Sequence, residues 1–371
     1  MPHSPLIIER IETIALRVPL GQTYQGSHYK MTHRSPLIIR LHTAEGIIGQ
    51  AYTGDEDSTL EPILNIIQNE IEPLLVGQDA SNIERCWQLT RHTTFDILRD
   101  RRLALVATAS VDAAIWDAYG QLLNESLWRI WGGFRSSIPV IEIGGYYGMK
   151  LPLEEEVEQA RSRGVAGMTL KIGGRTPAED AARIRSARKA AGNNFVLMVD
   201  ANQAWTPREA IEFVRHTEDL NLYWFEEPCE WDNDAADMRN VRLSTGIRIC
   251  AGQSEHSAAG CRRLMESDAI DFCNFDASWS GGPTEWRRVA AIAQTFKIGM
   301  AHHEEPQVAS HLLASIPHGS FLETFNPDRD PIWPNLILNR PDLVNGMLRL
   351  PDGPGYGWEL DEAYIAKYRI N

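Results

Sequence analysis

The sequence predicts an α/β protein: a (β/α)8, TIM-like barrel with an N-terminal α+β capping domain that the C-terminal tail completes. Three observations carry that prediction. From about residue 138 to 325, short β-rich runs alternate with amphipathic helical stretches. The spacing between successive runs stays close to one strand-plus-helix unit. The segments on either side lack this alternation. At 371 residues and 43% hydrophobic content, the chain can bury one large core, or one core plus a smaller domain. The expected division is a capping domain over 1–130, a barrel over 131–330 and a closing segment over 331–371.

Taken in order, Leu6-Ile7-Ile8 and Leu37-Ile38-Ile39-Arg40-Leu41-His42 read as strands. The second turns at Thr43-Ala44-Glu45-Gly46 and continues as Ile47-Ile48-Gly49. Between them GQTYQGSHYKMTHR, residues 21–34, is polar and rich in Tyr and His, which predicts a long loop of the kind that serves as a lid. The pattern is helical from about 58 to 125, where Ala104, Ala107, Val111, Ala114, Ile115 and Ala118 share a face, and it stops near Trp131-Gly132-Gly133. Eight strand candidates follow: Val140–Ile143, Met168–Ile172, Phe195–Val199, Leu222–Phe225, Ile247–Ala251, Ile270–Phe275, Ile298–Ala301 and Phe321–Phe325. Thr176-Pro177-Ala178-Glu179 and Thr206-Pro207-Arg208-Glu209 are capping boxes with proline at the first helical position, so helices begin there.

Composition excludes some functions. A net charge of -14 offers nothing to offset phosphate repulsion, which argues against nucleic acid and anionic membranes. The five cysteines form no CxxC pair, consistent with buried, reduced thiols. The first residues lack a basic region followed by an apolar core, and no apolar stretch approaches the ~20 residues of a membrane helix. The expectation is a cytoplasmic protein.

Strand after strand ends in a polar or charged residue. Lys171, Asp200, Glu226, Gln253, Asp276, His302 and Glu323 follow one another at steps of 29, 26, 27, 23, 26 and 21 residues, one βα unit each time. Each would sit at the C-terminal end of its strand, the face that holds the active site in barrels. Residues two apart share a face, so Thr169 with Lys171 and Asp200 with Asn202 can both point inward. A single acid after a strand is usually a helix cap. Three oxygen donors on three adjacent strands, with a lysine to one side and a histidine to the other, is an order that capping does not require. It makes a compact site for a hard cation such as Mg²⁺.

The ordered set of LHTAEGIIGQ, ASVDAAIWDAYGQLL, TLKIG, VDANQAW, FEEP, AGQSE, AHH and FLET resembles the enolase superfamily, in its mandelate racemase-like subgroup, over nearly the whole chain. The resemblance implies abstraction of the proton α to a carboxylate with Mg²⁺ (or Mn²⁺) on the ene-diolate. Asp200 and Glu226 match the first two metal ligands. Gln253 stands where the family usually has an acid, with Glu255 as the alternative third ligand. Lys171 matches the second lysine of the KxK motif and would be the base on one face, its pKa lowered by burial and by the metal. Thr169 replaces the first lysine, a position that normally faces the substrate carboxylate, and is expected to contact the substrate there. Asp276 and His302 match the His–Asp dyad on the other face, with His303 competing for that role, and Glu323 matches the acid that binds the substrate carboxylate. Asn202 and Glu227 would stand behind the ligands. Tyr24, His28, Tyr29, Lys30, His33 and Arg34 of the predicted lid, together with Tyr146, would suit a polyhydroxylated anion. The implied activity is dehydration of an aldonic or aldaric sugar acid, with a lactone cycloisomerase or an epimerase as the alternative, in a homo-oligomer.

Overall fold

A computed structural model describes residues 5–54 and 58–371. The N-terminal part contains β1 (Ile8–Ala15), β2 (Val18–Gln25), β3 (Lys30–Arg34), β4 (Leu37–Thr43) and β5 (Ile48–Tyr52). β1, β4 and β5 form an antiparallel sheet in the order β1-β4-β5. It lies on the long helix Arg101–Leu123, whose middle is buried throughout. The fit at Gly49 is close: a Cβ there would come within 2.1 Å of the Ala114 carbonyl oxygen, so only glycine lets this strand rest on the helix.

Residues 21–34 are not a loop. β2 and β3 pair as an antiparallel ribbon, with Tyr24 opposite Met31 and Gln25 opposite Lys30. Its faces are mostly polar and solvated, so the apolar alternation that marks a half-buried strand is missing although the backbone is extended. The ribbon leans on the barrel mouth, where the Tyr147 N–H donates to the Gln25 carbonyl at 2.8 Å.

The barrel strands are β6 (Ser137–Gly144), β7 (Gly167–Lys171), β8 (Val196–Asp200), β9 (Phe225–Glu226), β10 (Ile249–Cys250), β11 (Phe272–Cys273), β12 (Gly299–Met300) and β13 (Leu322–Phe325). They pair in parallel in the order β12-β11-β10-β9-β8-β7-β6-β13. A parallel bridge between Met300 and Gly319 joins the two ends of that order. The helices Pro177–Ala191 and Pro207–Thr217 start at Thr176 and Thr206, and in both capping boxes the reciprocal hydrogen bonds are present. Ile141, Met198, Cys250 and Ala301, from the alternate strands β6, β8, β10 and beyond β12, fill the barrel interior as a packed plug together with Trp224 just before β9.

The N-terminal helices are tied to the barrel by buried polar contacts. Trp87 Nε1 donates to the Gly281 carbonyl at 2.7 Å, and Trp116 Nε1 to Thr284 Oγ1 at 2.8 Å. Asp112 accepts from Thr284 N at 2.9 Å and from Thr284 Oγ1 at 2.8 Å, and burial pushes its carboxyl up to about 7. In the C-terminal segment, β14 (Met347–Arg349) adds antiparallel to β6, and the Arg17 N–H reaches the Tyr368 carbonyl. The five cysteines are free and buried. Among the described residues, no helix is long and apolar enough to cross a membrane.

Candidate active site

The interior plug sets the aim of the site residues. Two positions beyond Met198, Trp224 and Ala301, on the same face of each strand, come Asp200, Glu226 and His303. Lys171 follows Thr169 in the same way, and Asp276 follows Asn274. Gln253 reaches the chamber through Gly252, whose φ of 140° turns the chain after β10. These side chains and Glu323 are each 7% exposed or less, so their charges act in a dry chamber at the C-terminal end of the barrel.

One side of the chamber is a cluster of oxygens. Asp200 Oδ2 lies 2.5 Å from Lys171 Nζ and 2.9 Å from Asn202 Nδ2, while Oδ1 accepts from the Asn202 N–H at 2.7 Å. Glu226 Oε1 accepts from Asn274 Nδ2 at 2.8 Å, and Glu226 Oε2 is buried with no hydrogen-bond partner among the described residues. Burial, with the negative charges of Asp200 and Glu323 beside it, holds Glu226 well above the usual carboxylate range. Gln253 Oε1 accepts from Asn274 Nδ2 at 3.0 Å, and its Nε2 donates to Glu227 Oε2 at 3.1 Å. That network fixes the amide orientation, with the oxygen beside the Glu226 carboxylate. Among the described residues no three His, Cys, Asp or Glu side chains group as a metal site; here the third donor is an amide. An orphaned buried carboxylate oxygen amid like charges, with all-oxygen donors, fits a hard divalent cation. Glu255 is no part of it. Its carboxylate points away from the chamber to Arg263, at 2.7 Å.

The lysine differs from expectation in one respect. Burial, the largest single influence, pushes its pKa down, but Asp200, Tyr29, Tyr146 and Glu226 together outweigh it, and Lys171 stands well above the usual lysine range. Thr169 does not occupy a carboxylate-binding position. It is fully buried one layer below, with its hydroxyl 3.5 Å from Met198 Sδ.

The other side of the chamber corrects the histidine assignment. His302 points out of the chamber, and both of its nitrogens are engaged with backbone. Nδ1 lies 2.7 Å from the His303 carbonyl oxygen, and Nε2 accepts from the Ala277 N–H at 3.1 Å. His303 instead pairs with Asp276, Nδ1 to Oδ2 at 2.8 Å, and its ring packs on Trp279 with centroids 4.6 Å apart. Burial works against the charged imidazole, but Glu304 and Asp276 push it up to about 9. Asp276 is itself held in place by the Ser278 N–H and hydroxyl, both at 2.7 Å. Glu323 Oε2 accepts from the Glu304 N–H at 2.9 Å, and Oε1 is buried with no hydrogen-bond partner among the described residues. Burial pushes Glu323 up to about 7, with His303 and Lys171 both close enough to oppose that rise.

The lid residues divide. Tyr24 packs edge-on against Tyr146, centroids 5.4 Å apart, in an apolar cluster with Ile143 and Phe325, and the Tyr146 hydroxyl accepts from Arg329 Nε at 3.1 Å. Tyr29 brings its ring to 6.0 Å from Lys171 Nζ. His28 is exposed on the ribbon turn. Lys30 and His33 line a neighbouring cleft of about 360 Å³ with Asp100 and Arg102. Arg34 is buried and ion-paired with Glu304 and Glu305. Asn274 was missed by sequence reasoning, although it lies two before Asp276 and so shares its face. Non-glycine residues with left-handed backbone gather on this rim: Asn202, Gln203, Glu227, Glu304 and Glu305.

Comparison with known proteins identifies the family. Residues 10–132 match the family model for the mandelate racemase / muconate lactonizing enzyme N-terminal domain, and residues 152–364 match the enolase C-terminal domain-like model. The chain is 29% identical over 369 residues to a 3,6-anhydro-alpha-L-galactonate cycloisomerase of Streptomyces coelicolor, covering 98% of this chain and 100% of that one. It is 27% identical over 345 residues to an arabinonate dehydratase of Saccharolobus solfataricus, covering 89% of each. The crystal structure of a mandelate racemase/muconate lactonizing enzyme from a marine actinobacterium in complex with magnesium is 53% identical. It superposes with a TM-score of 0.94 over 99% of this chain and 100% of that one.

Proposed function

The chain belongs to the mandelate racemase/muconate lactonizing enzyme family of the enolase superfamily, and from that premise we propose that it removes the proton α to the carboxylate of an aldonic or aldaric sugar acid and then expels the β-hydroxyl as water. The observation that supports this reading best is the pair of opposed proton carriers. Lys171 closes β7 and Asp276 follows β11, four strands apart in an eight-membered order, and His303 is hydrogen-bonded to Asp276. The oxygens of Asp200, Glu226 and Gln253 lie between them.

Those three residues would hold Mg²⁺ (or Mn²⁺), which supplies positive charge against the ene-diolate as it forms. Lys171 Nζ takes the α-proton on one face in its neutral form, which requires that Asp200, the partner whose charge holds it protonated, commit its carboxylate to the cation. His303 Nε2 delivers a proton to the departing oxygen on the other, while Asp276 fixes the ring through Nδ1. Glu323 Oε1 faces the same chamber without a protein partner and is the group that meets the substrate carboxylate. Asn274 and Glu227 hold the Gln253 amide in register. Tyr29 covers Lys171 and keeps water from the chamber.

A second reading keeps the same residues and changes the leaving oxygen. The 3,6-anhydro-alpha-L-galactonate cycloisomerase aligns along its entire length, which favours expulsion of an internal ring oxygen as the alternative outcome. Epimerisation, with the proton returned to the other face, is a third. The reading includes a homo-oligomer, supported by the exposed apolar side chains of Phe95, Ile97 and Leu98.

Incubation with Mg²⁺ in D₂O against aldonic acids, aldaric acids and their lactones and anhydro forms tests this. Deuterium uptake with a 2-keto acid establishes elimination. Ring opening without loss of water selects the cycloisomerase, and uptake without either change selects the epimerase. No uptake on any member, with Mg²⁺ bound, would overturn the proposal.

A further inference from the structure

His303 has a carboxylate near each ring nitrogen. Asp276 holds Nδ1 at 2.8 Å, and Glu304 Oε1 stands 3.6 Å from Nε2, the nitrogen that faces the chamber. Glu304 is set there deliberately. Its Oε2 is 3.1 Å from Arg34 Nη1, which reaches across from β3, and its Oε1 is 3.8 Å from Arg329 Nη2. Both arginines are almost wholly buried. The backbone adds to the case: Glu304 and Glu305 have φ of 52° and 44°, two consecutive non-glycine residues in the left-handed region. Such backbone is strained for a residue with a side chain, and the strain persists only where surrounding contacts impose it.

We propose that Glu304 is a positioning residue for the reaction, a second carboxylate that keeps His303 protonated at Nε2 in the resting enzyme and so fixes it as the acid. The inference rests on the proposed α-proton abstraction for its chemical meaning. It divides the labour of the two proton carriers, with Lys171 as the base and His303 as the acid. In the elimination step Nε2–H gives its proton to the β-oxygen, which leaves with the C–O bonding pair as water, and the ring becomes neutral. The α-proton stays on Lys171 until solvent resets both groups. The charged groups around His303 agree in sign. Asp276 after β11, Glu323 from β13, Glu227 after β9 and Glu304 itself all favour the cation, against burial and the neighbouring His302. Arg34 and Arg329 hold Glu304 anionic, well below the usual carboxylate range at about 2. Trp279 packs against the His303 ring at a tilt of 47°, and Arg102 lies over the Trp279 ring at 4.1 Å.

The test is a direct titration of His303 by NMR in ¹³C-histidine-labelled, Mg²⁺-loaded protein, assigned with His303→Asn. Wild type should titrate well above the ordinary histidine value. Glu304→Gln should lower the midpoint by at least about one unit, a tenfold loss of proton affinity, and should move the basic limb of the kcat/KM profile down by the same amount with KM little changed. Glu304→Asp, which retains the charge, should recover part of the shift. A wild-type midpoint at or below ~6.5 overturns the inference whether or not the variant folds, and so does an unchanged midpoint in a folded Glu304→Gln. Failure to turn over any sugar acid would count against the proposed function alone and leave the titration to decide the role of Glu304.

Discussion

Asp276 accepts a hydrogen bond from Nδ1 of His303, while its sequence neighbour His302 spends both ring nitrogens on backbone groups. The two histidines are therefore expected to fail differently when replaced. His303→Asn should lose about 10²–10⁴-fold in kcat, the usual contribution of a positioned acid or base, with a melting temperature close to wild type. His302→Asn should lower the melting temperature and reduce kcat much less. Steady-state kinetics and calorimetry on both variants check this, and equal kinetic losses would contradict the assignment.

The cation site separates Gln253 from Glu255. Calorimetric Mg²⁺ titration should show binding abolished in Asp200→Asn and in Glu226→Gln, and weakened about 10–100-fold in Asn274→Ala, which loses the hydrogen bond that aligns two ligands. Glu255→Ala should bind like wild type because its carboxylate serves Arg263. Chelation of the metal should end turnover reversibly.

Buried His311 makes stability pH-dependent. Its Nδ1 accepts from the Trp128 N–H, and burial drives its pKa down to about 3. A depressed folded-state value means the neutral ring's contribution is whole above the unfolded value near 6.5 and is lost as pH falls from there toward 3. By pH 5 the loss is about 2 kcal/mol. Urea unfolding at pH 7.5 and pH 5 should show this difference, and His311→Gln should shrink it. An unchanged difference in that variant would assign the acid sensitivity elsewhere.

The Asp112–Thr284 contact ties the long N-terminal helix to the barrel. Thr284→Val removes the hydroxyl that serves both Asp112 and Trp116, leaving buried polar groups unpaired at a cost of about 1–3 kcal/mol. The variant should unfold at lower urea with its Mg²⁺ affinity preserved.

Much of this was legible from sequence, because a barrel repeats its lesson. Eight apolar runs, the last seven each closed by a polar residue one βα unit from the one before, placed Lys171, Asp200, Glu226, Gln253, Asp276 and Glu323 on one rim. The capping boxes at Thr176 and Thr206 were readable because they depend on local residues alone. What failed depended on facing. Gly299-Met300-Ala301 offers no polar–apolar alternation, so nothing in it said whether His302 or His303 follows the inward Ala301. Glu255 was plausible until the chain's turn at Gly252 sent it to Arg263. The β2–β3 ribbon has the sequence of a loop because solvent covers most of it and no apolar alternation marks its strands. Glu304 is marked only by left-handed backbone and by partners from distant segments, and neither can be read along the chain.

The pairing of β6 with β13 carries a cost in time. The bond from Thr324 Oγ1 to the Ile141 carbonyl spans 183 residues. At ~5–20 residues per second, a ribosome needs roughly 10–40 s to supply the partner that β6 awaits. For that interval one side of the nascent sheet is an open edge of Val140, Ile141 and Ile143, the kind of edge that recruits other chains. Yield during production should therefore depend on how crowded and how warm the cell is while the chain is being made, and slower, cooler synthesis with abundant chaperones should raise the soluble fraction even though the finished, closed barrel has no such edge.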